Sequence, residues 1–287
     1  MANSQGLVVL AGPPSAYEGD LVAELKFIGN LMDHTFFPEA GLFGGQRRRF
    51  CLPHNYIVFD IETSGFSPQE DVIVEFGWAI VQDHQATDYG GVMLDWSQFD
   101  PDNANFHEWL RWRLAKTAAD CAKQGRHYHF TYDRLKAEGV HPLAAVRDFS
   151  ELLKAFLSTN AYLVGHGAWK FDRVRIDNIT EQFLGYKLPW DNSPLFDTGL
   201  VEKACQLNKV PCDSETLNEW YQRVNGQWSK KKWNLDGHCA SKYNLAERFN
   251  LDLRYSHTAG FDCLLTHSLA ETYRQIGEAC RGLEYDS

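Results

Sequence analysis

Residues 56–61 read YIVFDI, a short run of β-branched and aromatic residues bounded by turn formers. Such a run has no polar face to leave in water, so it reads as a strand buried on both sides. A strand of that kind requires further layers above and below it. Residues 72–81 (VIVEFGWAIV) repeat the signature, and residues 91–94 give a third, shorter strand. Little chain separates these strands, and parallel neighbours need a long crossover, so they pair antiparallel. Residues 95–140 are irregular and partly helical. From Pro142, which suits a first helical turn, Val146, Phe149, Leu152, Leu153, Phe156 and Leu157 fall on one stripe, so residues 142–157 form an amphipathic helix. Residues 161–165 are a strand, and a helix follows over about 171–185. Later helices are expected at 198–206, around 237–249 and at 260–279. The order βββ-α-β-α implies an α/β fold, a mixed sheet covered by helices.

Ahead of this pattern, the first fifty residues are mixed. A helical pattern spans about 21–32, a Gly-rich turn 41–45, and a basic triplet Arg47, Arg48 and Arg49. Without repeats, long linkers or charge blocks, the expected organisation is an N-terminal extension, residues 1–52, and one domain, residues 53–287. A 44% hydrophobic and 14% aromatic composition excludes a disordered chain. The excess of 38 acids over 28 bases, a net charge of −10, argues against whole-surface attraction to nucleic acid or anionic membrane, though not against a local basic track. The N-terminus has no basic leader segment and no stretch reaches the roughly 18 apolar residues of a membrane span. Seven cysteines without a CxxC pair fit a reducing interior. The expected location is therefore intracellular, in the cytoplasm.

Three patches carry chemistry. In the first, Asp60 and Glu62 flank Ile61 at the end of the first strand, and alternation points both carboxylates the same way. At 4 Å two such charges repel by about 4 kcal/mol at an effective dielectric near 20. A divalent cation reverses that sign, and hard oxygen ligands suit Mg²⁺ or Mn²⁺ better than zinc. Taken alone, Asp-x-Glu also reads as a solvated loop start. The second patch is residues 165–172 (GHGAWKFD), where Asp172 opens a helix and also reads as an N-cap. The third is residues 257–262 (HTAGFD), with Asp262 in the first turn of a long helix, again open to a plain helix-start reading.

In this order and these settings the three patches resemble the DEDDh family of 3′→5′ exonucleases, the proofreading-subunit-like and oligoribonuclease-like enzymes. The similarity runs over residues 56–276 and rests on FDIETSG at 59–65, Phe171-Asp172, Asp197-Thr198, LAERFNL at 245–251 and HTAGFD at 257–262. It implies an RNase H-like fold and two divalent cations, Mg²⁺ or Mn²⁺, held by Asp60, Glu62, Asp172 and Asp262. It further implies that His257 takes the proton of the attacking water, that the substrate is the 3′ end of single-stranded or frayed DNA or RNA, and that 5′-nucleoside monophosphates are released. The chain departs from the family pattern at Gly167, where Asn is common, in a loop one residue longer. Residues 95–130 and 205–235 are long for the family and read as insertions.

For Thr63, Ser64 and Phe66, two readings stand: contacts to the 3′-terminal nucleotide, as in family members, or turn formers plus one core aromatic. His166 and Trp169 are further substrate-contact candidates, with a second base or a structural histidine as the other readings of His166. Residues 228–233 (WSKKKW) combine phosphate-binding lysines with stacking tryptophans, as single-strand binders require, or else form a solvated charged loop with two half-buried tryptophans. Arg47–Arg49 and Arg111-Trp112-Arg113 are weaker versions. Cys51 with His54, or His238 with Cys239, lack the second half of a zinc site. The competing functions are a non-catalytic nucleic-acid-binding or interaction module on the same fold, and an endonuclease.

Overall fold

The computed structural model describes residues 35–36, 48–49, 52–123, 126–159, 161–190, 195–210, 212, 215–231, 242–248 and 258–285. Two short strands, β1 (Thr35–Phe36) and β2 (Arg48–Arg49), pair antiparallel. The main sheet comprises β3 (Tyr56–Thr63), β4 (Ile73–Gln82), β5 (Gln85–Met93), β6 (Tyr162–Gly165) and β7 (Leu195–Asp197), in the order β5-β4-β3-β6-β7. β3, β4 and β5 are antiparallel, and β6 and β7 add in parallel. This is the mixed sheet expected from the sequence, three antiparallel strands extended by parallel ones. The helices are α1 (Ala104–Lys123), α2 (Tyr132–Glu138), α3 (Pro142–Ser158), α4 (Asp172–Leu184), α5 (Thr198–Leu207), α6 (Leu217–Lys231), α7 (Lys242–Arg248) and α8 (Ala259–Tyr285).

Alternation along β3 assigns the two layers. Ile57, Phe59 and Ile61 join one core with Val146, Phe149 and Leu153 of α3 and Ile176 and Ile179 of α4. Tyr56 and Val58 point oppositely, into a second core with Leu200, Val201 and Ala204 of α5, Trp220, Tyr221 and Val224 of α6, and Cys263, Ala270 and Tyr273 of α8. Asp60 and Glu62 share the parity of Tyr56 and Val58, so the strand aims both at the α8 layer. Among the described residues no helix is long and apolar enough to cross a membrane.

Several expectations need correction. The third strand starts at Gln85, not residue 91, because Asp83 and His84, both at positive φ (48° and 62°), make a tight two-residue turn from β4. Its first residues are polar and exposed, so no apolar run announces them. The fifth strand, Leu195–Asp197, has no counterpart in the expected order; three residues are too few for a period to show. The segments read as insertions contain helices that pack on the rest of the fold. Residues 95–130 hold a 20-residue helix, α1, and residues 217–231 form α6, whose Trp220 and Tyr221 are fully covered. Trp228 is half-buried against the second core, as expected, but it lies on the helix α6 and not in a loop.

Candidate metal centre

Three separate segments converge at the C-terminal end of β3. Asp60 and Glu62 come from the strand, and Asp262 from the first turn of α8. One ligand oxygen from each lies within 4.8 Å of the others. Asp172, the first residue of α4, approaches from the β6 side. It caps nothing in its own helix; its Oδ1 accepts the Ile61 N–H at 3.0 Å, beyond the reach of the short β6 ladder. Asp60, Asp172 and Asp262 are buried. The four acids named from the sequence thus occupy one end of the sheet.

Their electrostatics are those of a cluster without enough positive charge. Burial, with Asp262 nearby, pushes Asp60 up to about 6, against the pull of Lys242. Burial raises Glu62 well above the carboxylate range, and Asp262 and Asp60 add to it. Burial and then Asp60 do the same for Asp172. An all-oxygen set of four carboxylates fits Mg²⁺ or Mn²⁺, whose charge would reverse each of these penalties.

Two further groups were not singled out from the sequence. Glu75 of β4 stands opposite Glu62 in the ladder and accepts the Ala259 N–H at 2.6 Å, which pins the start of α8 and so the placement of Asp262. Burial takes it up to about 7. Its signal was available: a lone acid inside an apolar run. Lys242, the first residue of α7, had no such signal. Its Nζ lies 2.6 Å from Asp60 Oδ1 and 3.3 Å from Asp262 Oδ2, with the side chain 9% exposed.

Close packing keeps α8 over the carboxylates. A Cβ on Gly77 of β4 would overlap the Ala259 carbonyl, and one on Gly260 would meet the Gly90 carbonyl oxygen of β5 at 2.7 Å. At the other end of the sheet, Glu271 of α8 accepts from Tyr56 Oη (2.8 Å) and Arg274 Nε (2.6 Å) and pairs with His84 Nδ1 (2.9 Å).

The loop after β3 is tied down by α1 and α4. Thr63 Oγ1 donates to the Gly65 carbonyl (2.6 Å), and Ser64 Oγ donates to Asp71 (3.1 Å) while accepting from the Val72 N–H. Both side chains are turn formers here. Phe66, by contrast, is 78% exposed and is no core aromatic. Arg175 of α4 donates to the Phe66 carbonyl and stacks on Phe171, fixing the backbone while the Phe66 ring faces outward. From α1, Arg113 grips Asp71 with two hydrogen bonds (2.5 and 2.7 Å) and Thr117 donates to the Ser64 carbonyl. Arg113 is committed to Asp71, whereas Arg111 lies over the Tyr132 ring and stays exposed.

In the 165–172 loop, the Asp197 carboxylate accepts from the Gly167 and Leu200 N–H groups at 2.8 and 3.0 Å. His166 Nδ1 pairs with Thr198 Oγ1 at 2.9 Å. Trp169 is half-buried between Arg173, 3.7 Å over its ring, and Tyr221. His257 lies outside the described residues, as do Trp233, Cys51, His238 and Cys239. His54 packs tilted against the His84 ring.

No protein-family model matches the chain. No curated protein matches it either. Among solved structures it is similar to E. coli exonuclease I in complex with a dT13 oligonucleotide, at 14% identity and a TM-score of 0.49, covering 81% of this chain and 43% of that one. It is likewise similar to a product-bound exonuclease I, at 12% identity and a TM-score of 0.48, covering 81% and 46%. A third is a complex of ExoI with SSB-Ct, at 13% identity and a TM-score of 0.47, covering 78% and 43%. The chain spans less than half the length of each of these structures.

Proposed function

We propose that this chain is a metal-dependent nuclease that hydrolyses phosphodiester bonds from the 3′ end of single-stranded or frayed DNA or RNA and releases 5′-nucleoside monophosphates. The observation that carries this reading is the compact oxygen triad of Asp60, Glu62 and Asp262, with the buried Asp172 carboxylate held beside it on the Ile61 N–H. In this reading the four carboxylates hold two divalent cations, Mg²⁺ or Mn²⁺. When bound there, such ions would supply positive charge to the phosphodiester and would lower the pKa of a water beside it. His257 takes the water's proton, a task suited to a group titrating near neutrality. The exposed Phe66 ring offers a stacking face to the terminal base, while Thr63 and Ser64 shape the turn that presents it. His166 and Trp169 line the loop that leads to Asp172. Residues 53–287 form the catalytic domain, 1–52 an extension to it, and the substrates are intracellular strand ends.

The test is incubation of 5′-labelled DNA and RNA oligonucleotides with Mg²⁺ or Mn²⁺. A ladder shortening from the 3′ end is expected, abolished by EDTA and by Asp60→Ala. Full activity in either condition would refute the metal mechanism. One observation favours a second reading, a non-catalytic nucleic-acid-binding module: the Lys242 ammonium already neutralises part of the cluster. Tight oligonucleotide binding with no turnover under any metal would select it, and cleavage of a circular single strand would instead select an endonuclease.

A further inference from the structure

The Lys242 ammonium touches two of the three carboxylates that form the compact oxygen triad, Asp60 and Asp262. A small divalent ion bonds carboxylate oxygens at roughly 2.0–2.2 Å. An ion shared by Asp60 and Asp262 would therefore sit where the ammonium now sits, or against it as a like charge. The two cations exclude one another. We propose that Lys242 is a tethered counter-cation that holds the place of a divalent ion, so that metal loading is an exchange in which the lysine side chain leaves. The inference rests on the metal-centre reading and adds a competitor to it.

The physical case has two sides. The ammonium offsets the repulsion between carboxylates buried at this depth, and the carboxylates offset the cost of burying a lysine charge whose side chain is 9% exposed. Each makes the other tolerable in the metal-free chain. The attachment suits release as well as occupancy. Lysine carries a compact charge on a flexible four-carbon stem, and here it begins a short helix, so the ammonium can withdraw by rotamer change with α7 in place. An arginine fork, rigid and bidentate, would be a poorer leaving cation.

Exchange makes opposite demands on the two states, which separates it from a merely structural role. In Lys242→Met, Mn²⁺ affinity measured by calorimetry is expected to rise at least about tenfold, because no cation has to depart, while the melting temperature in EDTA falls. A structural lysine would lower both. Equal or weaker Mn²⁺ binding in the variant overturns the proposal.

The wild-type chain gives an independent readout should the variant fail to fold. Acetylation of Lys242 by an N-hydroxysuccinimide ester, followed by mass spectrometry, is expected to be slow in EDTA and at least about fivefold faster in saturating Mn²⁺, as the amine moves from the cluster to solvent. An unchanged or slower rate overturns exchange. If calorimetry shows Mn²⁺ binding while Lys242 reactivity stays flat, exchange alone fails. If the wild-type chain binds no Mn²⁺, the metal-centre reading fails with it.

Discussion

At the residue scale, Glu75 carries a pH signature of its own. Its folded-state value of about 7 lies above the ordinary carboxylate value of 4.5 because the sheet and α8 bury it. The folded chain therefore holds this proton over a pH range in which the unfolded chain has lost it. Its contribution is fully present below pH 4.5 and is lost as pH rises through 7. Asp60, raised to about 6, acts with the same sign. Urea unfolding in EDTA should show stability declining between pH 4.5 and 8. Glu75→Gln keeps an acceptor for the Ala259 N–H and removes the ionisation, so it should be more stable than wild type at pH 8 by about 1–3 kcal/mol and equal to it near pH 4. Stability that climbs through this window would contradict the placement of Glu75. The same scale shows where sequence reading stops. The four acids were legible as a set only through the ordered motifs that resemble a known family; taken singly, each also read as a loop start or a helix-start acid. Lys242 was not, because a lysine in a polar stretch looks the same whether it faces water or a carboxylate brought from 182 positions away.

At the element scale, the position of Asp262 depends on how closely α8 lies on the sheet. Gly77 leaves room for the Ala259 carbonyl, and a methyl group there must push helix and strand apart. Gly77→Ala is expected to cost about 1–3 kcal/mol in chemical denaturation. It should also weaken Mn²⁺ binding, since the displaced helix carries Asp262. A variant of wild-type stability and affinity would show that the contact is looser than described. The loop after β3 depends in turn on α1. Arg113→Ala leaves the covered Asp71 carboxylate without its bidentate partner and should destabilise by about 3 kcal/mol. Protease cleavage within residues 63–72 reports the loosening. Long, periodic elements such as α3 were readable to within a residue or two, because burial repeats often enough to show. The β4–β5 turn was not, since Asp83-His84 takes left-handed conformations that Asn-Gly or Asp-Gly usually announces. Nor was the function of α1: its helix was half visible, but its grip on the Ser64–Asp71 loop joins residues more than forty positions apart.

At the scale of the whole molecule, a net charge of −10 constrains how a nucleic-acid enzyme could hold its substrate. Long polymers are bound through many lysine and arginine contacts, each releasing counterions and steepening the salt dependence. Here several basic groups are already used within the described fold: Arg113 by Asp71, Arg223 by Glu215, Arg274 by Glu271 and Lys242 by the acid cluster. On the proposed reading, the strand end is therefore held by the metal centre and a few neighbouring groups. With two phosphate contacts on a single strand, affinity should fall only about sevenfold between 50 and 200 mM salt, against more than a hundredfold for six. Affinity should also count ends rather than nucleotides. Fluorescence anisotropy in Ca²⁺, with 5′-labelled strands of about 10 and about 60 nucleotides, should give dissociation constants within about threefold of each other. A 3′-phosphate, which adds charge but alters the end, should weaken both. A steep salt slope with affinity growing in proportion to length would instead describe a polymer-coating protein, and neither the acid excess nor the occupied cations of this chain would then explain its binding.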